Sequence, residues 1–191
     1  MFKTLIIALI VVVGFVLIYA ATKPDTFRVQ RTVHIQAPPE RVFALISNLR
    51  NFNTWNPFEK KDPAIQGHYS AHDSGAGASY AWESAKVGSG RMEIVSVTPS
   101  SNVTLKLDFI KPFEAHNMAD FTLTPNAGGT DVTWAMHGPT PYFSKVMQVF
   151  ISMDSMVGND FAAGLANLKA LAEGGASHPG AAGQTSAPNA S

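Results

Sequence analysis

Apolar side chains recur at every second position in segments between residues 27 and 137, while residues 39–49 and 142–171 carry them at the spacing of a helix. Phe27, Val29, Val33 and Ile35 alternate with Arg28, Gln30, Thr32 and His34, which predicts a first strand. Pro39 then suits the first turn of a helix, where its missing N–H costs nothing, and Glu40 sits near the positive helix N-terminus. Val42, Leu45, Ile46 and Leu49 follow the i, i+3, i+4, i+7 spacing of one buried face. Residues 51–57 are expected to break that helix while keeping Phe52 and Trp55 available to a core.

Residues 66–72 predict a weak strand and residues 78–86 a better one, with Tyr80, Trp82 and Ser84 on one face. A glycine-rich connection leads into residues 91–98, where Met92, Ile94 and Ser96 share a face. In the next strand Val103, Leu105, Leu107 and Phe109 oppose Thr104, Lys106 and Asp108. Residues 114–124 carry Ala119, Phe121 and Leu123 on their apolar side, and residues 130–137 carry Val132, Trp134 and Met136. Successive hairpins with one apolar and one polar face predict an antiparallel sheet solvated on one side. Residues 142–171 predict a long helix through Val146, Val149, Phe150, Met153, Val157, Phe161, Leu165 and Leu168, with a kink expected near Gly158. A sheet with one apolar face needs a cover, and this helix is the obvious one. The fold class expected is α+β.

Residues 5–21 contain no charge, and with Thr4 and Thr22 they approach the ~20 residues that cross a bilayer. A cleavable signal peptide is the rival reading, but its apolar core is ordinarily about 7–15 residues. Residues 1–23 are therefore expected to be a transmembrane anchor, or else a signal peptide. Lys3 lies on one side of the span and Lys23, Arg28 and Arg31 on the other, a balance that tilts toward a cytoplasmic body. The short N-terminus is typical of an uncleaved signal-anchor, and the body is expected to be exported. Residues 24–173 form the expected domain. Residues 174–191 are Gly, Ala, Ser and Pro with almost no apolar bulk and predict a disordered tail, in which His178 carries no chemistry.

Formal net charge is zero across 191 residues, so no electrostatic footprint argues for nucleic acid. The absence of cysteine excludes disulfides and thiol catalysis together. His68 and His72 lie about 13 Å apart along a strand, too far for a common ion. His116 and His137 are possible strand neighbours with no carboxylate evidently beside them. The glycine pairs at 75 and 77 and at 88 and 90 are hairpin turns, since neither opens a helix with a lysine. No metal or cofactor is expected.

The order of elements, with IQAPPERVF at 35–43, NTWNP at 53–57 and GTDVTW at 129–134, resembles the START-like (Bet v 1-like, SRPBCC) helix-grip superfamily. The nearest likeness is to its polyketide cyclase/dehydrase-like branch, over residues 27–173. That resemblance implies a curved antiparallel sheet wrapped around the long C-terminal helix, with a hydrophobic ligand tunnel between them. The two short helices would close one mouth. Trp55, Tyr80, Trp82, Phe109, Phe121, Trp134, Met136, Phe150 and Met153 are the expected cavity lining, and Ser84 and Asn117 are possible polar contacts. A membrane-anchored binding protein for a lipid or other apolar small molecule is the leading expectation. A cyclase/dehydrase-like enzyme would need a titratable group inside the cavity, whereas Glu83, Asp108 and Asp120 fall on the solvent face. A protein-interaction module is the third reading.

Overall fold

Seven strands form one antiparallel sheet in the computed structural model, which describes residues 1–174. After an N-terminal helix α1 (Phe2–Ala21) come β1 (Thr26–Ile35), α2 (Pro39–Ile46), α3 (Leu49–Trp55), a 3-10 turn (Glu59–Lys61) and β2 (Gln66–Tyr69). The strands β3 (Ser79–Ser84), β4 (Gly88–Thr98), β5 (Asn102–Lys111), β6 (Ala115–Asn126) and β7 (Gly129–Pro139) then follow as hairpins. Helices α4 (Tyr142–Phe150) and α5 (Met153–Gly174) complete the described chain. The tail expected to be disordered, His178 included, lies outside the described residues from position 175 onward.

The spatial order is β1-β7-β6-β5-β4-β3-β2, so the first strand returns to pair with the last. The sheet is curved, and register shifts in β4 between Ser89 and Gly90 and between Ile94 and Ser96 contribute local bends. Helix α5 packs across β1, β7, α2 and α3. It buries Phe161, Leu165, Leu168 and Ala172 against the sheet face that carries Ile94, Leu105, Phe121 and Trp134. Burying Phe161, Phe121 and Trp55 completely contributes about 1.5–3 kcal/mol each.

The register fixes two ends of the sheet. One holds Thr26 opposite Pro139, Phe109 opposite Ala115 and Ser84 opposite Gly88. The other holds Ile35 opposite Thr130 and Thr98 opposite Asn102, and α2 and α3 follow directly from it. Helices α1 and α4 attach at the first end.

Two helix boundaries differ from the expectation. Residues 51–55 are helical, and the interruption falls earlier, at Ser47 and Asn48. The Asn48 side-chain oxygen accepts from the Arg50 and Asn51 N–H groups at 2.9 and 3.0 Å, which starts a new helix there. The C-terminal helix is broken at Ile151 and Ser152 rather than near Gly158. Ser152 Oγ accepts from the Ser155 N–H at 3.1 Å and so caps α5. Gly158 lies inside α5, at a close approach to Arg31 of β1. Helix α1 has 20 residues, is long and apolar enough to cross a membrane, and buries only Ala20.

Candidate functional site: a cavity between the sheet and α5

The period of two along each strand puts Tyr80, Trp82, Met92, Leu107, Phe109, Ala119, Phe121, Trp134 and Met136 on the face turned toward α5. Met156, Val157 and Phe161 of α5 cover them, and Phe52, Asn56 and Phe58 close the side below α3. Together they enclose a cavity of about 350 Å³, within the size range of small-molecule sites. Two glycines give the large aromatic side chains room. A Cβ at Gly67 would meet the Tyr80 ring, and one at Gly90 would meet the Trp82 ring.

The deep wall is aromatic. Trp134 stacks on Phe161 with centroids 4.1 Å apart and planes 8° from parallel, and on Phe121 at 5.1 Å. Such pairs add about 0.5–1.5 kcal/mol beyond their burial. The buried Trp134 Nε1–H has no hydrogen-bond partner among the described residues.

The rim is polar. Tyr80 donates to Glu59 Oε1 at 2.6 Å. Burial, reinforced by this hydrogen bond and by the Glu59 charge, pushes the Tyr80 phenol far above its ordinary range, so it stays a neutral donor. Lys61 donates to Asp160 Oδ2 at 2.6 Å and lies over the Phe58 ring. Lys86, at the β3–β4 turn, is a second rim cation. Two carboxylates and two ammonium groups thus surround an otherwise apolar volume.

Six of the nine residues expected to line the cavity do border it: Tyr80, Trp82, Phe109, Phe121, Trp134 and Met136. The other three stand elsewhere. Trp55 is fully buried behind Phe52, its Nε1 donating to the Leu45 carbonyl at 2.9 Å. Phe150 is 71% exposed, because the break at Ile151 and Ser152 carries α4 away from the sheet. Met153, at the start of α5, packs against the core outside the cavity. Ser84 donates to Asp62 at 2.6 Å, and Asn117 is buried beside Gly138, so neither reaches the cavity.

Met92, Leu107 and Ala119 border the cavity and share strand faces with residues named from the sequence, so parity pointed to them. Phe58, Glu59, Lys61 and Ile65 do not belong to any periodic segment, and only the tertiary course of residues 56–65 brings them in.

The acidic residues Asp108 and Asp120 lie on the opposite, outer face, as alternation implied. There they accompany histidines, contrary to the expectation that no carboxylate stood beside them. His116 Nδ1 is 2.7 Å from Asp108 and His137 Nε2 is 3.0 Å from Asp120. A third pair joins His34 and Asp131 at 2.8 Å. Among the described residues there is no group of three or more His, Asp or Glu side chains arranged to hold a metal ion.

A family model described as polyketide cyclase / dehydrase and lipid transport matches residues 26–173. No curated protein matches the sequence. Among solved structures, the chain is similar to protein CV1439 from Chromobacterium violaceum, with 18% identity and a TM-score of 0.54 over 79% of this chain and 99% of that one. Protein Ms6760 from Mycobacterium smegmatis is similar at 19% identity and a TM-score of 0.56, over 82% and 96% of the two chains. Aha1 from Colwellia psychrerythraea, solved as a dimer, is similar at 15% identity and a TM-score of 0.53, over 77% and 96%. At these identities the likeness is one of fold.

Proposed function

We propose that this chain, which belongs to the polyketide cyclase / dehydrase and lipid transport family, is a membrane-anchored binding protein that carries a lipid or another apolar small molecule between its sheet and α5. The single observation that carries this reading is the cavity of about 350 Å³, apolar within and charged at its rim. An apolar chain removed from water there gains about 25 cal/mol per Å² of buried surface, while the rim suits a polar head. Helix α1 supplies the anchor, with the body on the extracytoplasmic side.

Catalysis of the cyclase/dehydrase kind is the lesser reading. It requires an acid or base free to act within the apolar volume. Asp108 and Asp120 face away from the cavity on their histidines, and Glu83 is exposed. The two carboxylates that border the cavity, Glu59 and Asp160, are engaged by Tyr80 and Lys61.

Native mass spectrometry of the full-length protein released from nanodiscs tests the proposal. The wild type is expected to carry adducts of lipid mass and to take up cis-parinaric acid. Leu107→Trp, which fills the cavity from β5, is expected to weaken uptake by about tenfold or more, equivalent to about 1.4 kcal/mol. An adduct-free wild type that also ignores the probe contradicts the carrier reading.

A further inference from the structure

Helix α4 keeps Val146 and Val149 partly covered and turns a second apolar face outward. Phe143, Met147 and Phe150 follow i, i+4, i+7 spacing and are 62, 48 and 71% exposed, while Lys145 is 8% exposed. Lys145 is turned inward onto Asp25, just beyond α1. The β5–β6 hairpin continues this surface: Phe113 is 67% exposed and its ring lies 6.0 Å from that of Phe143. Contiguous exposed apolar side chains of this kind mark an interaction surface.

The position of α1 decides what covers it. Only residues 22–25 separate α1 from β1, a tether of about 14 Å at most. Tyr142, which opens α4, donates to the Leu17 carbonyl at 2.8 Å. Leu17 lies four residues inside the end of α1, about 6 Å along its axis. If α1 spans a bilayer, α4 is therefore at the depth of the headgroups and the upper acyl chains. Tyrosine and phenylalanine suit that depth.

The cavity extends to the same end of the sheet. Lys86 and Val87 occupy the β3–β4 turn there, and Phe109 lies at the last turn of the ladder before the hairpin that carries Phe113. Helices α2 and α3 follow from the opposite end.

We propose that the apolar face of α4 and the β5–β6 hairpin docks on the bilayer that α1 spans, setting the cavity mouth against the lipid headgroups. This surface rests on the reading of α1 as a membrane span. With it, an apolar ligand passes between bilayer and cavity without crossing bulk water.

The chain has no cysteine, so single substitutions carry a fluorophore without competition. The full-length protein is reconstituted in phosphatidylcholine vesicles with a label at Phe113→Cys, Met147→Cys or Phe150→Cys. Val12→Cys reports on α1, and Ser101→Cys reports on the opposite end of the sheet. Each is quenched in turn by spin-labelled phosphatidylcholine in the bilayer and by iodide in the water. Labels at 12, 113, 147 and 150 are expected to lose emission to the spin-labelled lipid, and the label at 101 to iodide alone. If 12 responds to lipid while 113, 147 and 150 respond to iodide, the docking surface falls and the anchor stands. Shielding of those three from both quenchers means cover by protein, a second copy or another partner, and also overturns the proposal. A label at 12 that does not sense lipid brings down anchor and surface together.

Discussion

His116 and Asp108 illustrate how single side chains are tuned on the outer face of the sheet. The hydrogen bond to Asp108 raises the His116 pKa above its ordinary 6.5, helped by the charges of Asp108 and Glu114. Asp108 is held below its ordinary 3.8, first by the Lys106 hydrogen bond and then by His116. The stability contributed through His116 is complete below about pH 6.5 and is lost as pH rises through its raised folded value. The part contributed through Asp108 is present above about pH 3.9 and is lost as pH falls through its depressed folded value. Both groups are exposed enough for solvent to screen the pair strongly. Asp108→Asn is expected to bring the NMR-titrated His116 pKa down toward its ordinary value. An unchanged titration would show that the contact does not persist in solution.

At the scale of elements, two glycines of α5 sit at close approaches of different kinds. A Cβ at Gly164 would lie 2.8 Å from the Trp134 ring, in the wall of the cavity, and 3.0 Å from the buried Pro57 ring, both of them rigid. Gly164→Ala is therefore expected to destabilise by about 1–3 kcal/mol. At Gly158 the nearest atom is the mobile end of Arg31, which pairs with Asp154 at 2.7 Å on the surface. There the helix gains about 0.8–1.0 kcal/mol from alanine and loses an exposed ion pair of about 0.2–1 kcal/mol. Gly158→Ala is expected to be close to neutral. Chemical denaturation of the full chain in detergent distinguishes the two, and equal effects would contradict this account of α5 packing. The same glycines show why the helix break was not legible from propensity. Gly158 weakens an isolated helix, yet tertiary contact keeps it helical, whereas Ser152 ends one helix and caps the next.

For the whole molecule, the proposed docking on a bilayer turns on net charge and apolar surface. With a formal charge of zero and no basic stripe, docking through α4 and the β5–β6 hairpin rests on buried apolar area. The environment of a fluorophore at Phe150→Cys is therefore expected to stay unchanged between low salt and about 1 M salt, where the screening length is only about 3 Å. Release of the label into water at high salt would mean that electrostatics, not burial, holds the surface down.

Strand alternation set the face of every cavity residue that came from the sheet, because a period of two leaves each side chain only one side to take. Tyr80, Trp82, Phe109, Phe121, Trp134 and Met136 were legible for that reason. Trp55, Phe150 and Met153 were not: a helical pattern says that the face carrying Phe150 and Met153 is apolar without saying what it meets, and no periodicity placed Trp55. The break at Ile151 and Ser152 separates α4 from α5, and residues 56–65 bring Glu59 and Lys61 to a rim that no periodicity marks. The sequence by itself determined which segments are strand and which are helical, the apolar run at the N-terminus and the inward side of the sheet, because those follow from local periodicity and charge. The tertiary structure alone decided that a cavity remains, that charged side chains border it, and that its lining reaches the end of the sheet to which α1 attaches. Those depend on strand register and on the volume left between β5 and α5, which are properties of residues distant in sequence.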